Sequence, residues 1–502
     1  MASYLHPGVY VEEIASGSRP IEGVATSTTA FVGITQRNST HDPVLIGSVT
    51  DYTDLFGPIL TTDDAMGLSV QAYYRNGGGA AYICPLSTAS VTGEGLFGAM
   101  IVSALGDGPW STFLFIKISR VSASDFDMAV GTRNSSGTFY SLESFEKVTF
   151  DATLESFAET VINGFSAYVT VTVEIPVLPG IAAIPDLTGS EGDALDNVVG
   201  AQTSPAAADF ASFYADTLRK IRVVSIIVLP GQTWAADGTG NAIISETRAH
   251  CDKMKNRIVL IDVPNGHELA DAGTVETMAL PTSTYTALYY PWVGVSNPLF
   301  HPDKNPDVSA SVDVAPSAIA AGMWAKIDAK RGVWKAPAGV EAQITGASSL
   351  QFQVENLEQD QLNPLGVNCI RKFPNYGSVI WGARSLATKA DPEWRYIPVR
   401  RTAIFIEESI YNGIQWAVFE PNDVPLWSSL RANIGAFMNG LYRAGAFQGQ
   451  KSSDAYFVRC GLGDTMTQAD IDRGQVIALV GFAALKPAEF VIVRIQQKVG
   501  EE

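Results

Sequence analysis

The chain is poor in the residues that chemistry at a protein site most often needs. Its four cysteines, Cys84, Cys251, Cys369 and Cys460, lie far apart and form no CxxC pair. This spacing excludes a disulfide framework and predicts reduced, mostly buried thiols of a protein made in the cytoplasm. Histidine is equally sparse: His6, His41, His250, His267 and His301 show neither HxH nor HxxxH spacing, so no metal site is expected. Long apolar runs are missing too. The longest, around Val223 to Leu229, is far below the ~20 residues that span a bilayer, so no membrane insertion is expected. No basic start followed by an apolar stretch marks a signal peptide. Positive charge is scarce: 34 Lys and Arg stand against 52 Asp and Glu, a net charge of -18. A nucleic-acid groove needs clustered cations, so direct nucleic-acid contact is not expected.

What remains is a chain of 502 residues, long enough for about three domains. Charged residues make up 17%, slightly low, which suits a chain that buries surface against its own copies. Residues 1–22 read as a turn at Pro7-Gly8, a short strand Val9–Ile14 and a joint at Ser16-Gly-Ser18. A strand alone at a terminus needs a host sheet, either its own or a neighbour's. Residues 24–35 read as a core strand, and Met66, Leu68, Val70 and Tyr73 as a helix ended by Asn76-Gly-Gly-Gly79. That glycine run follows a helix and lacks the Lys-Ser/Thr of a phosphate loop, which favours a helix cap over a phosphate site. Residues 80–84 read as the next strand.

Between 89 and 210 the composition shifts to 15 acidic and 4 basic residues. Strand-like runs at 112–118, 138–150 and 168–177 alternate with Gly/Ser turns, and one amphipathic helix lies near Leu154 to Val161. The stretch reads as a β-rich insertion whose acidity is a solvated surface rather than a metal site. From 205 to 375 the pattern is α/β: a helix through Phe210 and Leu218, a strand at Val223–Leu229, a helix through Ile244 and Met254, and a strand at Ile258–Val263. That order implies parallel strands joined by a right-handed crossover. Ala315–Trp324 reads as a helix with proline in its first turn and a small-residue face for close packing.

Further on, 400–411 reads as a helix capped at Asn412-Gly413. A second opens at Asp423 and Pro425 and carries Leu426, Leu430, Ile434, Phe437 and Leu441 at helical spacing. Arg431 and Arg443 leave that stripe, either as solvated charge or as contacts to a partner. Strands at 456–460 and 476–482 follow. Past the Lys486-Pro487 break, the alternation of Phe490, Ile492, Arg494 and Gln496 with Val491, Val493 and Ile495 marks a strand, Glu489–Gln496, almost at the C-terminus. Its host could be its own domain or another molecule.

Several of these stretches resemble the tail sheath proteins of contractile phages and related injection machines. The resemblance rests on Pro7-Gly-Val-Tyr-Val-Glu-Glu-Ile14, Arg331-Gly-Val-Trp-Lys-Ala-Pro337, Gln361-Leu-Asn-Pro364, Gly366-Val-Asn368 and Trp381-Gly-Ala-Arg384. It continues through Asn422-Asp-Val-Pro-Leu-Trp427, Gly445-Ala-Phe-Gln-Gly449, Tyr456-Phe-Val-Arg-Cys460 and Lys486-Pro-Ala-Glu-Phe-Val-Ile-Val-Arg-Ile-Gln-Gln497. Their order and spacing are specific where single motifs would be weak. The chain departs at Pro85-Leu86, where family members usually carry Arg-Val, at Ala315 in place of a proline, and at Ser385 in place of a threonine.

The resemblance implies a mixed α/β, multidomain fold. Its parts would be an N-terminal arm and linker at 1–22, an inner domain of 23–88 with 376–485, a β-rich outer insertion at 89–204, an α/β middle domain of subtilisin-like fold at 205–375, and a C-terminal arm at 486–502. Val9, Tyr10, Val11 and Ile14, and Phe490, Val491, Ile492, Val493 and Ile495, would be exchanged between subunits, with flexible joints at about 16–20 and 482–488. Arg431 and Arg443 are the candidate contacts to an inner tube. The implied partners are copies of the chain, an inner tail tube protein, and baseplate and tail terminator proteins. The implied location is a virion tail or particle sheath assembled in the host cytoplasm. The subtilisin-like expectation makes Asp262, His267 and Ser317 the residues to weigh for a hydrolase. Glu268-Leu269 after the histidine and Pro316 before the serine do not fit that pattern, so no catalytic residue and no cofactor is expected. A static structural polymer is the other alternative.

Overall fold

The computed structural model describes residues 20–87, 90–97, 100–122, 124–134, 137–173, 203–303, 305–387 and 391–489. Of the expected arm strands, Val9–Ile14 lies wholly outside the described residues, and Glu489–Gln496 lies outside them apart from Glu489. Within them the chain divides into two compact units. One holds 20–24 and 405–486, the other 25–404 and 487–489, and the division falls inside the helix Ile397–Gly413.

The larger unit is built on an eight-stranded sheet. Its spatial order is Gly377–Ile380, Val367–Phe373, Thr286–Tyr290, Ile258–Ile261, Ile226–Val228, Thr29–Gly33, Ala81–Pro85 and Val44–Ile46. The six inner strands are parallel and the two edge strands antiparallel. Parallel strands need crossovers that cover both faces, so they read as unbroken apolar runs. Ile226–Val228 and Ile258–Ile261 are such runs, buried at every position. The parallel register of those two strands agrees with the β-α-β reading, with helix Asn241–Met254 as the crossover.

Helix Pro316–Arg331 is buried from Pro316 through Ala325. Its small face is what allows this. A Cβ at Gly322 would lie 2.3 Å from the Tyr73 carbonyl oxygen on helix Ala65–Arg75, so the two helices touch backbone to backbone. On the helix's sheet side, Trp324 donates to the Tyr289 hydroxyl at 2.8 Å. A buried ion pair closes the same region. Arg401 grips Asp328 with two bonds of 2.8 and 2.5 Å, and its guanidinium lies 4.4 Å from the Trp324 ring.

This sheet corrects the expected grouping of 23–88 with 376–485. Thr29–Gly33 is buried along its length and sits mid-sheet, between Ala81–Pro85 and Ile226–Val228. A central strand needs a partner on each side, and the second is supplied by the first apolar strand after the insertion. A boundary at 375/376 would also cut the hairpin that pairs Phe373 with Gly377.

Residues 94–173 form two antiparallel three-stranded sheets, 94–97 with 100–104 and 169–173, and 115–120 with 125–133 and 139–149. They enclose a separate core around Trp110, Ile116, Phe126, Met128, Phe150 and Ile162. Strand Phe115–Arg120 alternates between half-buried and buried positions over its first four residues, as expected of a sheet with one face toward water. The insertion is fastened to the loop after Thr29–Gly33. Asp107 accepts from the Ser39 amide at 2.9 Å, and Arg37 lies over the Trp110 ring at 4.9 Å.

Candidate assembly interface

The smaller unit carries the features expected of an acceptor for added strands. Helix Val424–Arg443 starts where the sequence places it: Asp423 accepts from the Leu426 amide at 3.1 Å, and Pro425 occupies the first turn, where its missing N–H costs nothing. Leu426, Leu430, Ile434, Met438 and Leu441 are its buried stripe, with Phe437 half-buried against Phe405, 6.0 Å between ring centroids. Gly445, at φ 79°, turns the chain out of the helix.

Strands Tyr456–Arg459 and Leu479–Phe482 then pair antiparallel, Tyr456 opposite Phe482 and Arg459 opposite Leu479. Tyr456, Val458, Val480 and Phe482 share the half-buried face. Phe457 and Leu479 point the other way, each 47% exposed. Gly481 leaves room for the Phe457 ring, since a Cβ there would sit 2.3 Å from it. A lone two-stranded ribbon is marginal in water and presents two rows of unpaired backbone groups. Among the described residues no third strand joins either edge. Leu462 and Ile477 extend the exposed apolar surface beside it.

The roots of both arms do fall within the described residues. On the N-terminal side, Ile21 is buried and meets Gly413, and the Phe405 ring fills the space over Gly23. The Val24 amide donates to the Ser409 hydroxyl at 3.1 Å. On the C-terminal side, Ala484 bridges to Phe447. Glu489, the first residue of the expected strand Glu489–Gln496, is held by a buried clamp. Arg384 donates from Nε at 2.9 Å and from Nη2 at 2.5 Å to its two carboxylate oxygens, and the Tyr396 hydroxyl donates at 3.2 Å. The remaining Arg384 nitrogen donates to the Asn363 carbonyl at 3.0 Å. Of the expected joint at 482–488, Phe482 is therefore in a strand and Ala484 in a bridge.

Sequence reasoning found the two motifs Trp381–Arg384 and Lys486–Gln497 but not that Glu489 from one binds Arg384 from the other. A signal was present. In the alternation, Glu489 shares the side of Val491, Val493 and Ile495, and an acid heading an apolar face needs a cation. Of the two candidate tube contacts, Arg431 is half-buried and donates to the Cys460 carbonyl and to Ser428 at 3.0 Å, while Arg443 is exposed.

Comparison with known proteins decides the family. Residues 205–386 match the phage tail sheath protein central domain and residues 389–498 the phage tail sheath C-terminal domain. The chain belongs to the phage tail sheath family. It is similar to the tail sheath protein of Vibrio phage KVP40, 26% identical over 191 residues, which span 38% of this chain and 26% of that protein. It thus covers about a quarter of that relative's length. Among solved sheath-family structures, it aligns with the helical sheath of the anti-feeding prophage in its contracted state at a TM-score of 0.62 and 27% identity. That alignment covers 99% of this chain and 100% of the other. The contracted sheath complex of PVC, an extracellular contractile injection system, gives 0.61 and 26%, with 99% of each chain covered.

In this sheath-family chain the three residues weighed for hydrolysis do not form a triad. Ser317 is buried, its hydroxyl donating to one Asp262 oxygen at 2.5 Å and its amide to the other at 2.9 Å. The hydroxyl is thereby spent on an acid, and the His267 Nε2 has no hydrogen-bond partner among the described residues. Triad chemistry needs the imidazole on the serine. Asp262 instead caps helix Pro316–Arg331, whose own N-cap, Ala315, has no side chain able to do so. Burial pushes its carboxyl up to about 7, against the opposing pull of the two Ser317 bonds.

The glycine run 76–79 is likewise occupied. The amides of Asn76, Gly77 and Gly78 bond the last helical carbonyls and that of Gly79 the Tyr73 hydroxyl, which leaves none for a phosphate. At the point where the sheet's strand order reverses, beside Gly33 and Pro230, Met66 Cε lies 3.8 Å from the position of a Cβ on Gly33. A doubly wound enzyme would open a ligand crevice there.

Proposed function

We propose that the chain is a non-enzymatic subunit of a contractile sheath, tied to its neighbours by strand exchange. The observation that carries this reading is the open ribbon Tyr456–Arg459 with Leu479–Phe482, with rooted chain segments leading into both candidate strands. A strand added to a neighbour's edge gains main-chain hydrogen bonds without covalent linkage, so rigid bodies can repack while the mesh stays connected. Contraction is then a switch between two packings of the same subunits, driven by the difference in interface energy and needing no nucleotide. The subunit polymerises around an inner tube, with Arg431 and Arg443 as the cations available to it, and meets baseplate and terminator proteins at the ends. The acidic insertion faces solvent. The particle is a phage tail or injection machine assembled in the host cytoplasm.

The test is Ile492→Pro, read on one preparation for both folding and assembly. Proline removes a ladder donor and costs about 3 kcal/mol or more where pairing is required. An exchanged strand predicts a monomer that melts nearly as wild type, with striated hollow tubes lost in negative stain. A clearly destabilised monomer would place the strand in its own fold. Ser317-dependent turnover of a peptide or ester would overturn the non-enzymatic part.

A further inference from the structure

We infer that Arg384, Tyr396 and Glu489 form a positioning clamp that fixes where the C-terminal strand leaves the body of the subunit, so that load on the strand passes into the unit built on the eight-stranded sheet. This rests on the strand-exchange reading and adds a mechanical role to residues outside the strands. Three observations carry it. First, the pair is bidentate and shielded, the Arg384 and Glu489 side chains being 8% and 15% exposed, so it is little screened by salt, unlike a surface pair. Second, Arg384 is itself held in place: Asn363 accepts from it, its backbone amide donates to the Asn368 side chain at 2.7 Å, and Asn368 reaches back to the Arg384 and Leu288 carbonyls. The clamp is thus bolted to sheet strands Val367–Phe373 and Thr286–Tyr290. Third, Glu489 opens the expected strand, and Phe490, the first apolar arm residue, follows it directly in the sequence.

The two arms therefore differ in their anchorage. The N-terminal root, Ile21 to Val24, is fixed on residues of the 405–486 unit, and the C-terminal root on residues of the sheet unit. Each unit holds one arm. A pull transmitted through both arms loads both units rather than only the ribbon unit.

Without the clamp, the nearest fixed point upstream of the strand moves back to Ala484. The free tether then grows from about one residue to about six. Effective concentration falls roughly as the -3/2 power of tether length, which gives a drop on the order of tenfold. Arg384→Met with Glu489→Leu removes both charges, so neither is left buried and unpaired. The expected result is a monomer whose melting temperature stays close to wild type and a roughly tenfold slower growth of tubes, or tubes that break before they contract fully. Tyr396→Phe removes one of three bonds to Glu489 and tests the same point in a variant with little risk to folding; its slowing should be smaller but measurable. If both variants assemble and contract as wild type, the clamp is only structural and the inference fails. Photo-crosslinking from Gln497 in wild-type tubes separates the two layers of argument. Subunit ladders together with normal variants remove the clamp alone, whereas crosslinks confined within one chain remove strand exchange and the clamp together.

Discussion

In the eight-stranded sheet, Ile258–Ile261 is buried at every residue and paired on both sides, while in the ribbon Phe457 and Leu479 are each 47% exposed and each strand has one partner among the described residues. Both regions are built from apolar strands of similar length. The difference lies in what covers them. Helices Pro316–Arg331 and Ala65–Arg75 pack backbone to backbone in the sheet unit, and each of its inner strands has a neighbour on both sides. Among the described residues the ribbon packs on helix Val424–Arg443 and on Phe447 and stops at two strands. A sheet completed inside its own chain makes a rigid body. A sheet left at two strands presents edge backbone groups to which another segment can bond. Stability should therefore respond to the first region and assembly to the second.

The largest effect expected on the stability side is at Arg401. It and Asp328 are 4% and 6% exposed, Thr26 also donates to Asp328, and the guanidinium covers Trp324. Arg401→Met leaves a buried carboxylate without its cation, a change that typically costs about 3–5 kcal/mol. Urea unfolding should show that loss. Tubes formed from whatever protein still folds should look normal, because no strand edge is touched. A loss below 1 kcal/mol would mean that the sheet unit is looser than its packing indicates.

How much of this contrast the sequence carries depends on the range of each contact. The strands Ile226–Val228 and Ile258–Ile261 were legible within the wider expected runs 223–229 and 258–263, because a parallel core strand is apolar throughout; the first was read too long, since Val223 is exposed in a turn. Helix Val424–Arg443 was legible from Asp423, Pro425 and its 3.6-residue stripe. Helix Val49–Phe56 was missed, although Ser48 and Asp51 form a local cap there, Ser48 accepting from the Asp51 amide at 3.1 Å. Short polar edges such as Ser311–Val314 give little period to read. The placement of Thr29–Gly33 beside Ile226–Val228 had no local trace, since the whole insertion separates the two. Half of the clamp was visible in Glu489's position on an apolar face. Its partner Arg384, 105 residues away, was not.

An intermediate effect is expected from pH. Asp262 titrates near 7 in the folded chain and, like any free aspartate, near 4 when unfolded. The folded state therefore holds this proton more tightly, and its contribution to stability is full below about pH 4, falls as pH rises, and levels off above about 7. The slope is at most about 1.4 kcal/mol per pH unit. Buried Asp64, raised to about 6 by burial with the Gly67 bond opposing, acts in the same direction. Asp262→Asn keeps the shape, with its carbonyl still able to accept from the Ser317 amide, and removes the titration. Unfolding at pH 4.5 and 7.5 should show wild type losing stability relative to the variant at the higher pH. A difference that does not change with pH would mean that Asp262 is ionised throughout.

The smallest effect on folding belongs to the ribbon, and it separates the two regions most cleanly. Phe457 is half out in solvent, opposite Gly481, and contributes little to any core. Phe457→Ser removes exposed ring surface and keeps the backbone pairing, so the monomer should change by no more than about 0.5 kcal/mol. If the ribbon receives strands from neighbours, that ring lies on the sheet surface that two added strands would extend. Cross-strand neighbours on one face are each worth roughly 0.2–1 kcal/mol. The loss recurs at every subunit of a polymer, so a change too small to shift a melting curve should raise the protein concentration needed for tubes several-fold. Sedimentation across a concentration series measures that threshold. An unchanged threshold would show that Phe457 lies outside the assembled sheet. A large drop in monomer stability would show instead that the ribbon is closed within its own chain, and the contrast between a finished and an unfinished sheet would not survive it.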